Sequence, residues 1–131
     1  MEFTLDAINK AHSLYTGPDF PKLIREFKVM GMVTNIFNLE TGVVSYINKE
    51  GEYLYGKGFA VDFNIEDRAD YETALAALQR NQKGDTNFPT FCIEIAKTGI
   101  YKWISDLDKM TCSYYDKQEK IIIEEKIPMV K

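Results

Sequence analysis

Residues 19–55, DFPKLIREFKVMGMVTNIFNLETGVVSYINKEGEYLY, lie without a gap on residues 87–123, NFPTFCIEIAKTGIYKWISDLDKMTCSYYDKQEKIII, at an offset of 68. Nine of the 37 positions are identical: Phe20/Phe88, Pro21/Pro89, Glu26/Glu94, Gly31/Gly99, Ile36/Ile104, Leu39/Leu107, Ser45/Ser113, Tyr46/Tyr114 and Lys49/Lys117. Unrelated stretches would share roughly two, and a solenoid would need at least about three stacked copies. The register therefore reads as a duplication, with a one-residue slip upstream that sets Gly17 on Gly84. Two copies, about 4–63 and 70–128, packed about a pseudo-twofold would make a single domain.

Each copy carries the same local signals. Leu5, Ile8, Ala11 and Tyr15 recur at helical spacing, as do Tyr71, Leu75, Leu78 and Gln82. Gly17-Pro18 and Gly84-Asp85 break those helices. A second helix is expected from Asp19 or Asn87, both capping residue types, with Pro21 or Pro89 in its first turn, where a missing amide donor costs nothing. Its apolar stripe is Phe20, Leu23, Ile24 and Phe27, matched by Phe88, Phe91, Cys92 and Ile95. Gly31 and Gly99 fall where a left-handed C-cap belongs. Strand-like runs follow at 32–39 and 100–107, then at 43–48 and 110–116, then after the turns at 49–51 and 117–119. In the first copy the third strand is expected to run past a bend at Gly56 and Gly58 into 59–63. The fold class predicted is α+β: a duplicated α-α-β-β-β unit whose antiparallel sheet has helices packed on one face. Residues 64–69 are the one joint.

Composition narrows the function classes. The chain has 131 residues, 45% hydrophobic and 27% charged, too apolar for disorder and large enough for a core without staples. A net charge of −4 argues against nucleic acid. No run reaches the ~18 apolar residues of a membrane span, and the acidic start lacks the features of a signal peptide. Two cysteines make no secreted disulfide framework, so a cytoplasmic location is expected. Phosphate loops, nucleophile elbows, metalloprotease and dinucleotide motifs are absent, and no cofactor is expected.

The second copy acts as a control on each reactive residue. Cys92 aligns with Ile24 and Cys112 with Val44, so both read as core positions, against the alternative of a thiol enzyme using Cys112 or Cys92 with a carboxylate such as Glu94. His12 sits at the edge of an apolar helical stripe. With one histidine and two core-like cysteines, no four-ligand zinc set is available. Glu26 and Glu94 occupy matching helical positions; they read either as two carboxylates facing each other across the pseudo-twofold or as flank residues paired with Arg25, Lys22 or Lys97. Alternation sets Tyr46 with Val44, and Tyr114 with Cys112, opposite Ser45 and Ser113.

The first strands pose the functional question. Simple alternation puts Ile100, Lys102, Ile104 and Asp106 on one face, and Tyr101, Trp103, Ser105 and Leu107 on the other. The equivalent sets are Met32, Thr34, Ile36, Asn38 and Val33, Asn35, Phe37, Leu39. Both faces carry apolar residues, so the Trp103 face needs a cover: the other half of the chain, a second protomer or a ligand. A non-enzymatic domain is expected, binding a small molecule or a partner at the seam between copies or on this aromatic face. Trp103, Tyr101, Tyr114, Phe37 and Cys112 would supply apolar contact, and Asp106, Lys109 and Glu94 orientation. A homodimer through the aromatic face is the interaction alternative.

Phe91-Cys92, Gly99, Lys102-Trp103-Ile104 and the run from Asp106 to Asp116 resemble the C-terminal signature of a YbcV-like bacterial family of unknown function, whose members carry the label phage envelope protein. Asp19-Phe20-Pro21, Gly31, Tyr46, Gly51 and residues 81–84 fit the same pattern, which extends from about Ala11 to Pro128. The resemblance implies prophage or mobile-element origin but brings no catalytic residues. Val43 and Asn81 stand where relatives carry histidine, which argues against a histidine-based site.

Overall fold

The computed structural model describes residues 2–15 and 19–130. The first half comprises helices α1 (Leu5–Leu14) and α2 (Phe20–Val29), then strands β1 (Met32–Asn38), β2 (Val43–Asn48) and β3 (Tyr53–Lys57). The second half repeats that order as α3 (Tyr71–Gln82), α4 (Phe88–Lys97), β4 (Ile100–Asp106), β5 (Thr111–Asp116) and β6 (Ile121–Lys126). The Gly17-Pro18 break lies outside the described residues. Thr4, Asp70 and Asn87 cap α1, α3 and α4 through their side chains. Asp19 does not cap α2; its carboxylate instead lies 3.8 Å from the Lys22 ammonium.

The six strands form one antiparallel sheet in the order β3-β2-β1-β4-β5-β6. This order reads alike from either edge, and the two halves meet where β1 pairs with β4. There Ile36 faces Ile104, the residue 68 positions on. Turn chemistry recurs at matching places. The Asn38 and Asp106 side chains each accept two backbone N–H groups across the first hairpin, and Asn48 and Asp116 do the same across the second. Lone carboxamides and carboxylates at these points thus hold turns, with Asp116 buried to 2% exposure.

Register shifts at matching positions correct the face assignment. β1 is irregular between Met32 and Thr34, and β4 between Ile100 and Lys102. The extra residue in each, Val33 or Tyr101, reverses the alternation before it. Ile100 therefore joins Trp103, Ser105 and Leu107 on the buried face, and Met32 joins Asn35 and Phe37. Tyr101 leaves the Trp103 face: its hydroxyl donates to Glu119, and the Lys102 ammonium lies 5.2 Å from its ring.

All four helices contact the sheet, and the buried face takes their apolar stripes. Phe27 of α2 meets Tyr46 of β2 edge-on at 6.0 Å, while Phe88 and Phe91 of α4 meet Trp103. Among the described residues the opposite face carries no helix. A two-layer fold with one open face explains a surface of 7754 Å², somewhat above the ~7,100 Å² expected for a compact chain of this mass.

The third strand of the first half stops at Lys57 rather than continuing into 59–63. At Gly58 an added Cβ would lie 2.6 Å from the Phe37 ring and 2.9 Å from Val44, so the backbone passes directly against the core. The connector then crosses the β1–β2 turn, where the Val61 N–H donates to the Leu39 carbonyl, and it buries Val61 and Ile65 before reaching α3.

Candidate functional site

The structure brings four of the expected site residues together and separates the rest. Phe37 and Trp103, directly opposed across β1 and β4, stack at 4.6 Å with 12° between their planes. Tyr114 stands 5.8 Å from Trp103, and Phe88 and Phe91 close over the pair. Cys112 lies beside Tyr114 in the same buried layer. Trp103 is 8% exposed, Tyr114 7% and Phe37 8%. The cover that this face required is the chain's own α4. At offset 68 the positions of Phe37 and Trp103 correspond to Ser105 and Asn35, two small polar residues paired on the same strands.

The orienting residues lie elsewhere. Asp106 holds the β4–β5 turn through the N–H groups of Asp108 and Lys109. Glu94 receives a two-pronged hydrogen bond from Arg80 of α3, at 3.2 and 3.3 Å, a partner not among those expected from sequence. Glu26 lies 4.0 Å from Arg25, so the matching glutamates have separate partners.

Neither thiol is activated. Burial pushes the Cys92 pKa up to about 12 and that of Cys112 up to about 11, the latter despite a hydrogen bond from Ser105 at 3.6 Å. Since the thiolate is the nucleophile, both cysteines should alkylate at neutral pH far more slowly than a free thiol, and should label together only when the protein unfolds. Rapid modification of Cys112 in the native protein would revive the thiol-enzyme reading. Among the described residues no group of three or more His, Cys, Asp or Glu is placed to hold a metal ion.

His12 packs edge-on against Phe27 at 5.5 Å, and its Nε2 lies 3.4 Å from the Tyr46 hydroxyl. Although the His12 side chain is largely exposed, partial desolvation of the ring lowers its pKa from 6.5, and burial raises that of Tyr46 to about 12. The unfolded chain therefore takes up the His12 proton first, so folding stability should decrease as pH falls below about 6.5. Urea midpoints between about pH 7 and 5 check this: His12→Gln should flatten the slope, and an unchanged slope would assign it to other groups.

Two clefts remain. The larger, about 590 Å³, is polar and lies along connector residues 64–68 and Gln118. The smaller, about 280 Å³, is mainly apolar and forms where the halves meet. Pro21, Arg25, Lys28 and Val29 of α2 line one side, and Met110 of the β4–β5 turn with Met129 and Val130 lines the other. Its pieces are separated by about a hundred residues in sequence, so no local motif announces it. Nothing in the sequence signalled more than a seam between copies.

The family described as "Protein of unknown function (DUF1398)" matches residues 9–126. Uncharacterized proteins of Mycobacterium bovis and of two Mycobacterium tuberculosis strains are 28% identical over 106 residues, 80% of this chain. The chain spans 65% of the length of those curated relatives. Among the described residues, no helix is long and apolar enough to cross a membrane.

Proposed function

We propose a binding role for this chain, which belongs to the DUF1398 family of proteins of unknown function: a domain of two repeats, about 4–63 and 70–128, that takes a small molecule with an apolar body at the seam between them. Within the family we place it among the YbcV-like members on the Asp106–Asp116 signature, and we read it as cytoplasmic because both cysteines are free. The observation that carries the binding role is the cleft itself. It is a concave, mostly apolar surface contributed by both halves, while the aromatic face considered beside it is filled by α4. Two methionines, Met110 and Met129, on the side facing α2 suit a site that adapts to its ligand.

A thermal-shift screen of apolar metabolites and lipids tests the reading. A ligand at 100 times its Kd adds ~2.7 kcal/mol, which should raise the midpoint by roughly 8 °C in a chain of this size. Val29→Asp, at a position 59% exposed, should leave the fold intact and abolish the shift. A shift that survives this substitution would place the ligand elsewhere.

A second reading, a homodimer joined through the open sheet face, is favoured by Val43, Tyr53, Tyr55 and Ile121, all large side chains between 42% and 58% exposed. Light scattering at high concentration should then give twice the chain mass, and a monomer would remove this reading.

A further inference from the structure

The charge pattern of the seam cleft runs against that of the chain. The sequence carries 20 acidic and 16 basic residues, yet among the described residues the cleft lining holds two bases and no acidic side chain. Arg25 and Lys28 stand three residues apart on α2, a spacing that puts both on one side of a helix and at the rim of the same hollow. Arg25 is only loosely engaged, at 4.0 Å from Glu26, and Lys28 makes no ion pair among the described residues. The rest of the lining is apolar: Val29, 59% exposed, and Met129, 74% exposed, are among the least covered hydrophobic side chains of the described residues, and both line this hollow with Met110. A cation pair in an apolar lining is complementary to an anionic head on an alkyl tail. The hollow, about 280 Å³, lies just under the usual ~300–1,000 Å³ of ligand pockets, so the tail must be short.

Building on the binding reading above, we propose that the seam cleft binds a medium-chain carboxylate, its tail on Val29, Met110 and Met129 and its head between Arg25 and Lys28. A neutral alcohol of equal chain length would gain the apolar lining but not the cations, and an alkylamine would meet two like charges. The side-chain guanidinium and ammonium supply charge-assisted contacts at a solvated rim, where each contributes modestly, so the preference for acid over alcohol should be about tenfold.

The experiment is a titration of the whole chain with octanoate, octanol and octylamine, followed by thermal shift and by chemical-shift mapping. The expected result is octanoate binding about tenfold tighter than octanol, no octylamine binding, and perturbations centred on residues 25–29 and 110. Arg25→Gln with Lys28→Gln should erase the preference while leaving weak binding of both uncharged and charged ligands, and Val29→Asp should remove all binding. Equal affinity for octanoate and octanol, both lost in Val29→Asp, would overturn the anion assignment and leave the seam reading standing. Octanoate binding that neither variant alters would overturn the location, and no binding by any of the three would overturn both readings.

Discussion

Replacing Gly99 with alanine is expected to cost more than about 4 kcal/mol, a large part of the roughly 5–15 kcal/mol that holds a domain together. Gly99 ends α4 at φ +101°, and an added Cβ would stand 2.3 Å from the Arg68 carbonyl oxygen and 2.6 Å from the Ala69 Cα. These are backbone atoms of the connector, anchored next door where the Asp70 N–H donates to the Thr98 carbonyl at 2.8 Å. A methyl group there must displace the connector, and with it the buried Ile65 and the start of α3. Its counterpart supplies the control. Gly31 has φ +89°, but the nearest atom to its added Cβ is the Lys49 Cε at 3.9 Å. Gly31→Ala should therefore cost only the left-handed backbone penalty, about 1–2 kcal/mol. Urea melts of the two variants measure the difference, and equal losses would mean that the connector does not rest on Gly99.

Trp103→Ala should destabilise the protein by about 3–5 kcal/mol, lowering the thermal midpoint by roughly 10–20 °C. Trp103 is the single tryptophan and the hub of a cluster with Phe37, Phe88, Phe91 and Tyr114, at centroid distances from 4.6 to 6.2 Å. Truncation leaves a hollow between sheet and α4 that closely packed neighbours fill poorly, and it forfeits offset and edge-on ring contacts worth about 0.5–1.5 kcal/mol each. Trp103→Phe should recover much of the loss, because a ring still faces Phe37. The same residue gives the readout: its fluorescence should be that of a buried indole and shift to the red on unfolding. A stable alanine variant would return the aromatic face to the list of binding surfaces.

Most of the architecture was legible because the repeat acted as two readings of one pattern. Pro21 and Pro89 marked helix starts, Gly31 and Gly99 marked helix ends, and both glycines have the positive φ expected of them. The errors share one cause, that a local rule takes no account of a neighbour. Strict alternation placed Tyr101 beside Trp103, because an inserted bulge residue has no signature in composition. The third strand was likewise expected to run beyond Gly58, where the Phe37 ring instead leaves room only for a glycine turning away. Asp106 looked like an orienting group for a ligand, although its spacing to Asp108 and Lys109 is that of a side chain closing its own turn.

The sequence by itself determined the α+β class, the order of helices and strands and the burial of both cysteines, since periodicity, capping and the alignment of one half on the other are legible from residues alone. Only the tertiary structure decided which sheet face is covered, that β1 joins β4 through Ile36 and Ile104, and that residues of both halves line a hollow with two cations and apolar side chains. Those features depend on residues far apart in the chain meeting across one register, and a register shifted by a single residue would exchange the buried and open faces.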